Sequence, residues 1–444
     1  MPKPNEAELA EYAARRARLM QAIGEQAVAI VPAAREVIRN RDVHYRFRQD
    51  SDFWYLTGFP EPEAIAVLAP GRKEGAYLLF VRPRNPEREI WDGRRAGPEG
   101  AVRDYGADQA FPLEEFERRL PGLLGGRARL HYTLGEHPHW DARITACLRE
   151  LRELARRGPA APEAVVSLDV TLHEQRLIKS AHELALIRHA CEVSARAHRR
   201  ALAMARPGVY EWQLAAEIHH EFESNGLEPG YGSIVGAGDN ACILHYVENS
   251  APLKAGELVL IDAGGEYRGY TADITRTAPV GGRYSGPQRA VYEVVLAAQK
   301  AAIAELKPGN SSARPHEVAT RVLTEGMVAL GLLPGNGSAS VDELIAQEKY
   351  KRFFMHGTGH WLGMDVHDVG RYKLDGQPRV FQPGMVMTVE PGLYIAPGAE
   401  GVDPRFHGIG VRIEDDVLVG ADGPQVLTSG VPKDIDDVEA LMAG

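Results

Sequence analysis

No run of apolar residues long enough for a membrane span, no cysteine pair and no surplus of positive charge occur in these 444 residues, and each absence removes a class of function. The three cysteines, Cys147, Cys191 and Cys242, are widely spaced and lack CxxC spacing, so neither a disulfide framework nor a thiolate metal site is expected. The start of the chain, MPKPNEAELAEYAARRARLM, has acidic residues throughout and no apolar core of signal-peptide length. A reducing cytoplasm is the expected home, with no membrane partner. The net charge of −10 argues against nucleic acid, which needs clustered Lys and Arg, and suits a cationic or neutral small substrate. The HExxH zinc helix, the GxSxG elbow and the GxxxxGK phosphate loop are missing too.

What is present has the balance of a soluble two-domain α/β protein, 44% apolar and 25% charged. Apolar runs such as AVAIVP, AIAVLAP and GAYLLFV, bounded by Gly and Pro, alternate with helical signals over about the first 170 residues. RRGPAAPEA at 156–164 reads as a surface connection, and the division is drawn as 1–172 and 173–444. A long helix is predicted from Ala181 to Ala205, stopped by Arg206-Pro207-Gly208.

The second part repeats itself imperfectly. Helices end at Pro207-Gly208 and at Pro308-Gly309, each followed by a polar stretch and another amphipathic helix. GELVLIDAG and GMVMTVEPG share a template in which a carboxylate, Asp262 or Glu390, stands six positions after the first Gly. A histidine precedes each copy (His245, His367), and a second acid follows (Asp273, Glu414). Coincidence is the bland alternative, since Gly-bounded strands are common and the two intervals between acids differ, 11 residues against 24. Against it stands the cost of a carboxylate in an apolar strand, which is high unless the group is paired or metal-bound.

Duplicated halves would bring these four acids face to face, where mutual repulsion would raise their pKa values. Two divalent cations balance the charge of four carboxylates, and one neutral imidazole completes the shell. His360, in MHGTGHWLGMDVHD, is the best candidate. Oxygen-rich ligation with a single nitrogen favours Mn²⁺, with Co²⁺, Fe²⁺ or Zn²⁺ able to substitute. Two such ions a few ångströms apart activate water and polarise a carbonyl.

The segments IDAGGEYRGYTADITRT, FMHGTGHWLGMDVHDVG, TVEPGLYI and GVRIEDD, with RQDSDFWYLTGF earlier, together resemble the pita-bread metallopeptidases, and within them the aminopeptidase P group. The resemblance spans almost the whole chain. It implies a smaller creatinase-like α/β domain before a pseudo-twofold catalytic domain, and hydrolysis of the bond between an amino-terminal residue and proline. It further implies that Asp273 and Glu414 bridge both metals, that His360 and Glu390 complete one, and that Asp262 chelates the other. Glu390 becomes the proton shuttle, His245 and His367 bind the carbonyl and the tetrahedral intermediate, and His356 shapes the proline pocket. Arg412 and Tyr372 correspond to a pair that positions ligands. The resembling enzymes are homo-oligomers, dimers or tetramers, in which positions matching Asp42 and Trp91 reach a neighbouring active site, while the first domain walls the entrance. His44, His131, His137, His139, His219 and His220 take the ordinary core or surface reading.

Proline suits this chemistry, because the bond before it is a tertiary amide whose nitrogen carries no hydrogen. A two-metal site needs only a carbonyl and a route to protonate the departing nitrogen. The alternatives are a prolidase, which cleaves Xaa-Pro dipeptides with the same ligands; a metal-free creatinase; and a non-catalytic binding protein on the same fold. The full ligand set speaks against the last two.

Overall fold

The computed structural model describes residues 3–154, 156–334 and 339–443 and divides into two compact units, the first running to Gln175 and the second starting at Arg176. The first unit is built on a six-stranded sheet. Its strands in chain order are β1 (Ala27–Pro32), β2 (Ile65–Leu68), β3 (Tyr77–Val81), β4 (Gln109–Pro112), β5 (Arg129–His131) and β6 (Ala164–Val166), and in space they run β4-β3-β2-β1-β5-β6. The pairs β1–β2 and β2–β3 are antiparallel, and the outer pairs are parallel. Continuous apolar runs form the middle of the sheet because helices cover both its faces: every residue of β1, β2 and β3 is buried. Val28, Ile30, Phe80, Phe116, Leu130 and Trp140 lie at the centre of that core.

The second unit carries the internal repeat as geometry. Its first half holds a three-stranded antiparallel sheet of β7 (Ile234–Ala237), β8 (Leu258–Asp262) and β9 (Thr275–Pro279), with β8 in the middle. The second half holds β10 (Val386–Val389), a ladder of β11 (Gly392–Ile395) with β12 (Ile409–Arg412), and β13 (Asp415–Gly420) with β14 (Gly423–Val426). β10 pairs with β13 on one side and is bridged through Met387 to Trp361 on the other. The two copies of the template are therefore β8 and β10, each flanked on both edges, although the second flank of β10 is a single bridge.

A helix pair belongs to each half: Ala181–Met204 with Glu211–Ser224, and Gly286–Ile303 with Arg314–Ala329. The first starts where Ser180 and Glu183 close a reciprocal cap and ends with Ala205 as its cap residue, as the sequence predicts. Ser285 and Gln288 do the same for Gly286–Ile303. Among the described residues, no helix is long and apolar enough to cross a membrane.

Two glycines set the spacing between elements. A Cβ on Gly264 would lie 1.7 Å from the Ala272 carbonyl oxygen, and one on Gly359 would lie 1.9 Å from that of Thr388. Backbones thus touch where the acid-bearing turn after β8 folds back, and where the loop carrying His360 crosses β10.

Candidate metal centre

All four acids stand at strand ends. Asp262 is the last residue of β8, Asp273 lies two residues before β9, Glu390 directly follows β10, and Glu414 sits between β12 and β13. A strand end releases the side chain from the alternation that would otherwise send neighbouring acids to opposite faces. Acids from both halves of the second unit thereby converge on one cavity of about 550 Å³, which is also lined by His245, His356, His360, His367 and Arg412.

Three ligand atoms, one each from Asp273, His360 and Glu414, lie within 4.8 Å of one another, close enough for a shared cation. His360 Nε2 is 3.5 Å from Asp273 and 3.4 Å from Glu390. Its other nitrogen, Nδ1, donates to the Trp361 carbonyl at 3.0 Å, which turns Nε2 toward the acids. Asp262 is held from two sides, by Arg412 Nη2 at 2.6 Å and by the Tyr231 hydroxyl at 2.6 Å. His245 and His367 are exposed on the cavity, the His367 ring centred 4.3 Å from that of His360. The loop bearing both His360 and His367 is pinned by buried Asp368, which accepts from Arg176 at 2.7 Å and Lys179 at 2.9 Å.

The electrostatics push three of the four acids up, while Asp273, against its burial, is lowered by its bonds to His360 and Tyr231. Burial raises the pKa of Glu390 to about 7 against the pull of His360 and Arg412, with Asp273 and Asp262 adding to the rise. Burial and the neighbouring acids push Asp262 up and Glu414 well up. Burial alone would lower His360, but its contacts with Asp273 and Glu390 raise it to about 9. A dication replaces that proton and reverses the logic, because it stabilises every carboxylate around it. The donor set, four carboxylates with one imidazole, therefore fits hard or borderline divalent ions.

The resemblance sets Arg412 and Tyr372 together as a positioning pair, and in the structure each bonds to a different residue. Arg412 Nη1 donates to the hydroxyl of Tyr394 at 3.0 Å. The Tyr372 hydroxyl instead accepts from the Trp361 N–H at 2.8 Å, and its ring stacks on the indole at 5.1 Å. The ladder between β11 and β12 explains the bond to Tyr394. Arg412 lies opposite Gly392, so Tyr394 is its diagonal neighbour on the same face. The Tyr394 hydroxyl in turn lies 2.9 Å from His356 Nε2, whose pKa falls to about 4 through burial and the nearby Arg412. Arg412 thus orients Tyr394, which donates to a neutral His356.

Two further residues escaped the sequence reading. Tyr231 reaches Asp262 and Asp273 at 2.6 and 2.5 Å. Thr275 accepts from Arg412 Nε at 3.1 Å and donates to Glu414 at 2.6 Å. The one local signal for Tyr231 is its place between Gly230 and Gly232, just before a strand. Of the other sequence candidates, Asp42 and Trp91 lie exposed in the first unit, Trp91 at 83%. His44, His139 and His220 are exposed, His137 and His219 half-buried and His131 buried.

Residues 185–421 match the family model of metallopeptidase family M24, and residues 12–132 match that of the aminopeptidase P N-terminal domain. The chain belongs to metallopeptidase family M24. It is 44% identical to the Xaa-Pro aminopeptidase of Escherichia coli K12, with 97% of each chain covered. Among solved structures it resembles Pseudomonas aeruginosa aminopeptidase PepP, with a TM-score of 0.96, 54% identity, and 100% and 99% of the two chains covered. A zinc-substituted aminopeptidase P of E. coli in complex with product matches with a TM-score of 0.94, 44% identity and 99% of each chain covered. For an M24 member, the cluster of acids and imidazole is the place where metal-dependent hydrolysis belongs.

Proposed function

We infer that this protein is an Xaa-Pro aminopeptidase holding two divalent cations, Mn²⁺ first among them, between Asp262, Asp273, His360, Glu390 and Glu414. The observation that carries this reading is the convergence of those acids, from both halves of the repeat, on one cavity that also presents His245 and His367. When bound, the cations supply positive charge that lowers the pKa of water and polarises the scissile carbonyl.

The chain's own residues supply the rest. Glu390 takes the proton from the attacking water and returns it to the proline nitrogen, which has none of its own. His245 and His367 donate to the carbonyl oxygen as its charge develops. His356, kept neutral beside Tyr394 and Phe354, offers a face rather than a charge to the proline ring.

All three cysteines are free thiols, which suits a reducing compartment. The same reading takes in a homo-oligomer, dimer or tetramer, in which Asp42 and Trp91 of one copy reach another's centre. Unchanged kinetics of Asp42→Ala in the assembled enzyme would remove that part.

The deciding assay compares an Xaa-Pro-Xaa tripeptide, an Xaa-Pro dipeptide and an Xaa-Ala-Xaa tripeptide in the presence of Mn²⁺, with Glu390→Gln as control. Cleavage of the first with release of the free amino-terminal residue is expected. A strict preference for the dipeptide would turn the reading to a prolidase, and no metal-dependent cleavage of any of them would end it.

A further inference from the structure

Among the described residues, the halves of the second unit meet without a sheet ladder. At the seam, the Glu414 N–H donates to the Thr275 carbonyl at 3.0 Å, and the Thr277 hydroxyl donates to the Arg412 carbonyl at 2.9 Å. One side chain does more than these single ties. Arg276, 1% exposed, follows Thr275 and lies three residues beyond Asp273. Its Nη1 donates to the carbonyls of Thr275 at 3.0 Å and Glu414 at 2.5 Å. Its Nη2 reaches Asp415 at 2.7 Å and the Val431 carbonyl at 2.9 Å, and its Nε reaches the Pro432 carbonyl at 3.1 Å. All five donors of the guanidinium are engaged. Asp415, fully buried beside Glu414, also accepts from Thr428 at 2.7 Å, Gln299 at 2.8 Å and Lys433 at 2.5 Å.

A buried ion pair of this kind is poor evidence for stability, because apolar residues of the same volume often do as well. What an apolar pair cannot do is hold two carbonyls from separate halves at a fixed distance. The two carbonyls held by Nη1 belong to Thr275 and Glu414, which places the clamp directly behind the two acids read as shared ligands, Asp273 and Glu414. Groups behind a metal's ligands typically change affinity or activity by 10–100-fold when they are altered, and a productive site tolerates only about 0.5 Å of error.

We propose that the Arg276–Asp415 pair is a positioning clamp that sets the separation of Asp273 and Glu414, so that uptake of the second cation depends on it. This rests on the two-cation reading above.

The test is Mn²⁺ titration of metal-stripped full-length protein by calorimetry, together with electron paramagnetic resonance of the loaded form. Wild type is expected to take two ions and to show the spectrum of a coupled pair. Arg276→Lys keeps the charge facing Asp415 but cannot span both carbonyls. It is expected to bind the first ion normally and the second about tenfold or more weakly, with the coupled signal lost at equal metal. Activity should recover toward wild type in excess Mn²⁺. If Arg276→Lys is folded by circular dichroism and matches wild type in both affinities and in the spectrum, the clamp is overturned. Should that variant not fold, Asp415→Asn, which removes the charge that Arg276 faces, decides: a weakened second site supports the clamp, and an unchanged one overturns it. Wild type binding fewer than two ions would instead bring down the two-cation reading, and the clamp with it.

Discussion

Glu390, half-buried, and Glu414, buried, are both glutamates of the second half, yet their surroundings give them different work. Glu414 receives the Thr275 hydroxyl at 2.6 Å and is fixed, whereas Glu390 meets the Thr388 hydroxyl and His360 Nε2 at the longer distance of 3.4 Å, which leaves it better placed to move a proton. Glu390→Gln is therefore expected to cut kcat by about 10²–10⁴-fold, the usual worth of a positioned acid–base group, with KM nearly unchanged. A kcat within a factor of two of wild type at saturating Mn²⁺ would show the proton travelling elsewhere. The bond from Arg412 to Tyr394 gives a paired test. Tyr394→Phe should lower kcat/KM by about tenfold or more, having lost a charge-assisted bond and the donor to His356. Tyr372→Phe should leave kinetics alone and cost about 1 kcal/mol of stability for the lost bond to Trp361. The reverse outcome in steady-state kinetics would restore the pair that the resemblance implies. The ligand candidates were legible because each is an acid or imidazole set in apolar or glycine-rich surroundings, where a charge has no other reason to stand. Tyr231, Thr275, Tyr394 and Arg276 were not, since an ordinary tyrosine, threonine or arginine gains its meaning only from a partner far away in the chain.

At the level of elements, the position of the acids depends on backbones that touch. Gly264→Ala and Gly359→Ala each press a methyl group into a carbonyl oxygen, at 1.7 and 1.9 Å, with no flexible side chain to yield. Each is expected to cost about 3 kcal/mol or more and to weaken Mn²⁺ binding even at temperatures where the protein stays folded. Gly359→Ala should act through His360 and Gly264→Ala through Asp262 and Asp273. Denaturant melts together with metal titration check both, and a variant with wild-type affinity would show that the turn has room to shift. Helix limits could be read in advance because Ser180 with Glu183 is a local device, complete within four residues. The order β4-β3-β2-β1-β5-β6 could not, because strand pairing is settled between segments as distant as β1 and β5, whose partners Ala29 and His131 carry no mark of each other.

For the whole molecule, bound cations act as a cross-link between halves. Chelation should abolish activity and lower Tm, and Mn²⁺ at about 100 times its Kd should restore about 2.7 kcal/mol. An unchanged Tm by scanning calorimetry would mean that the centre contributes nothing to cohesion. Acid acts on the same molecule through His198, a fully buried histidine donating to the Ala263 carbonyl, whose pKa is lowered from 6.5 to about 4 by burial. The unfolded chain takes up this proton near pH 6.5 and the folded chain only near pH 4. The unfolded state thus binds more protons in that window, and stability falls as pH drops through it, by about 3 kcal/mol in all. Urea melts of metal-stripped wild type and His198→Gln at pH 7 and 4.5 should show the variant losing distinctly less; parallel losses would place the acid sensitivity elsewhere.

The seam held by Arg276 also bears on biosynthesis. Val431, Pro432 and Lys433 are translated after every acid of the cluster, so a growing polypeptide that already carries all five ligand positions still lacks the carbonyls that complete the guanidinium's grip. Full affinity for the second cation would then arrive only once residues 431–433 have docked against the seam.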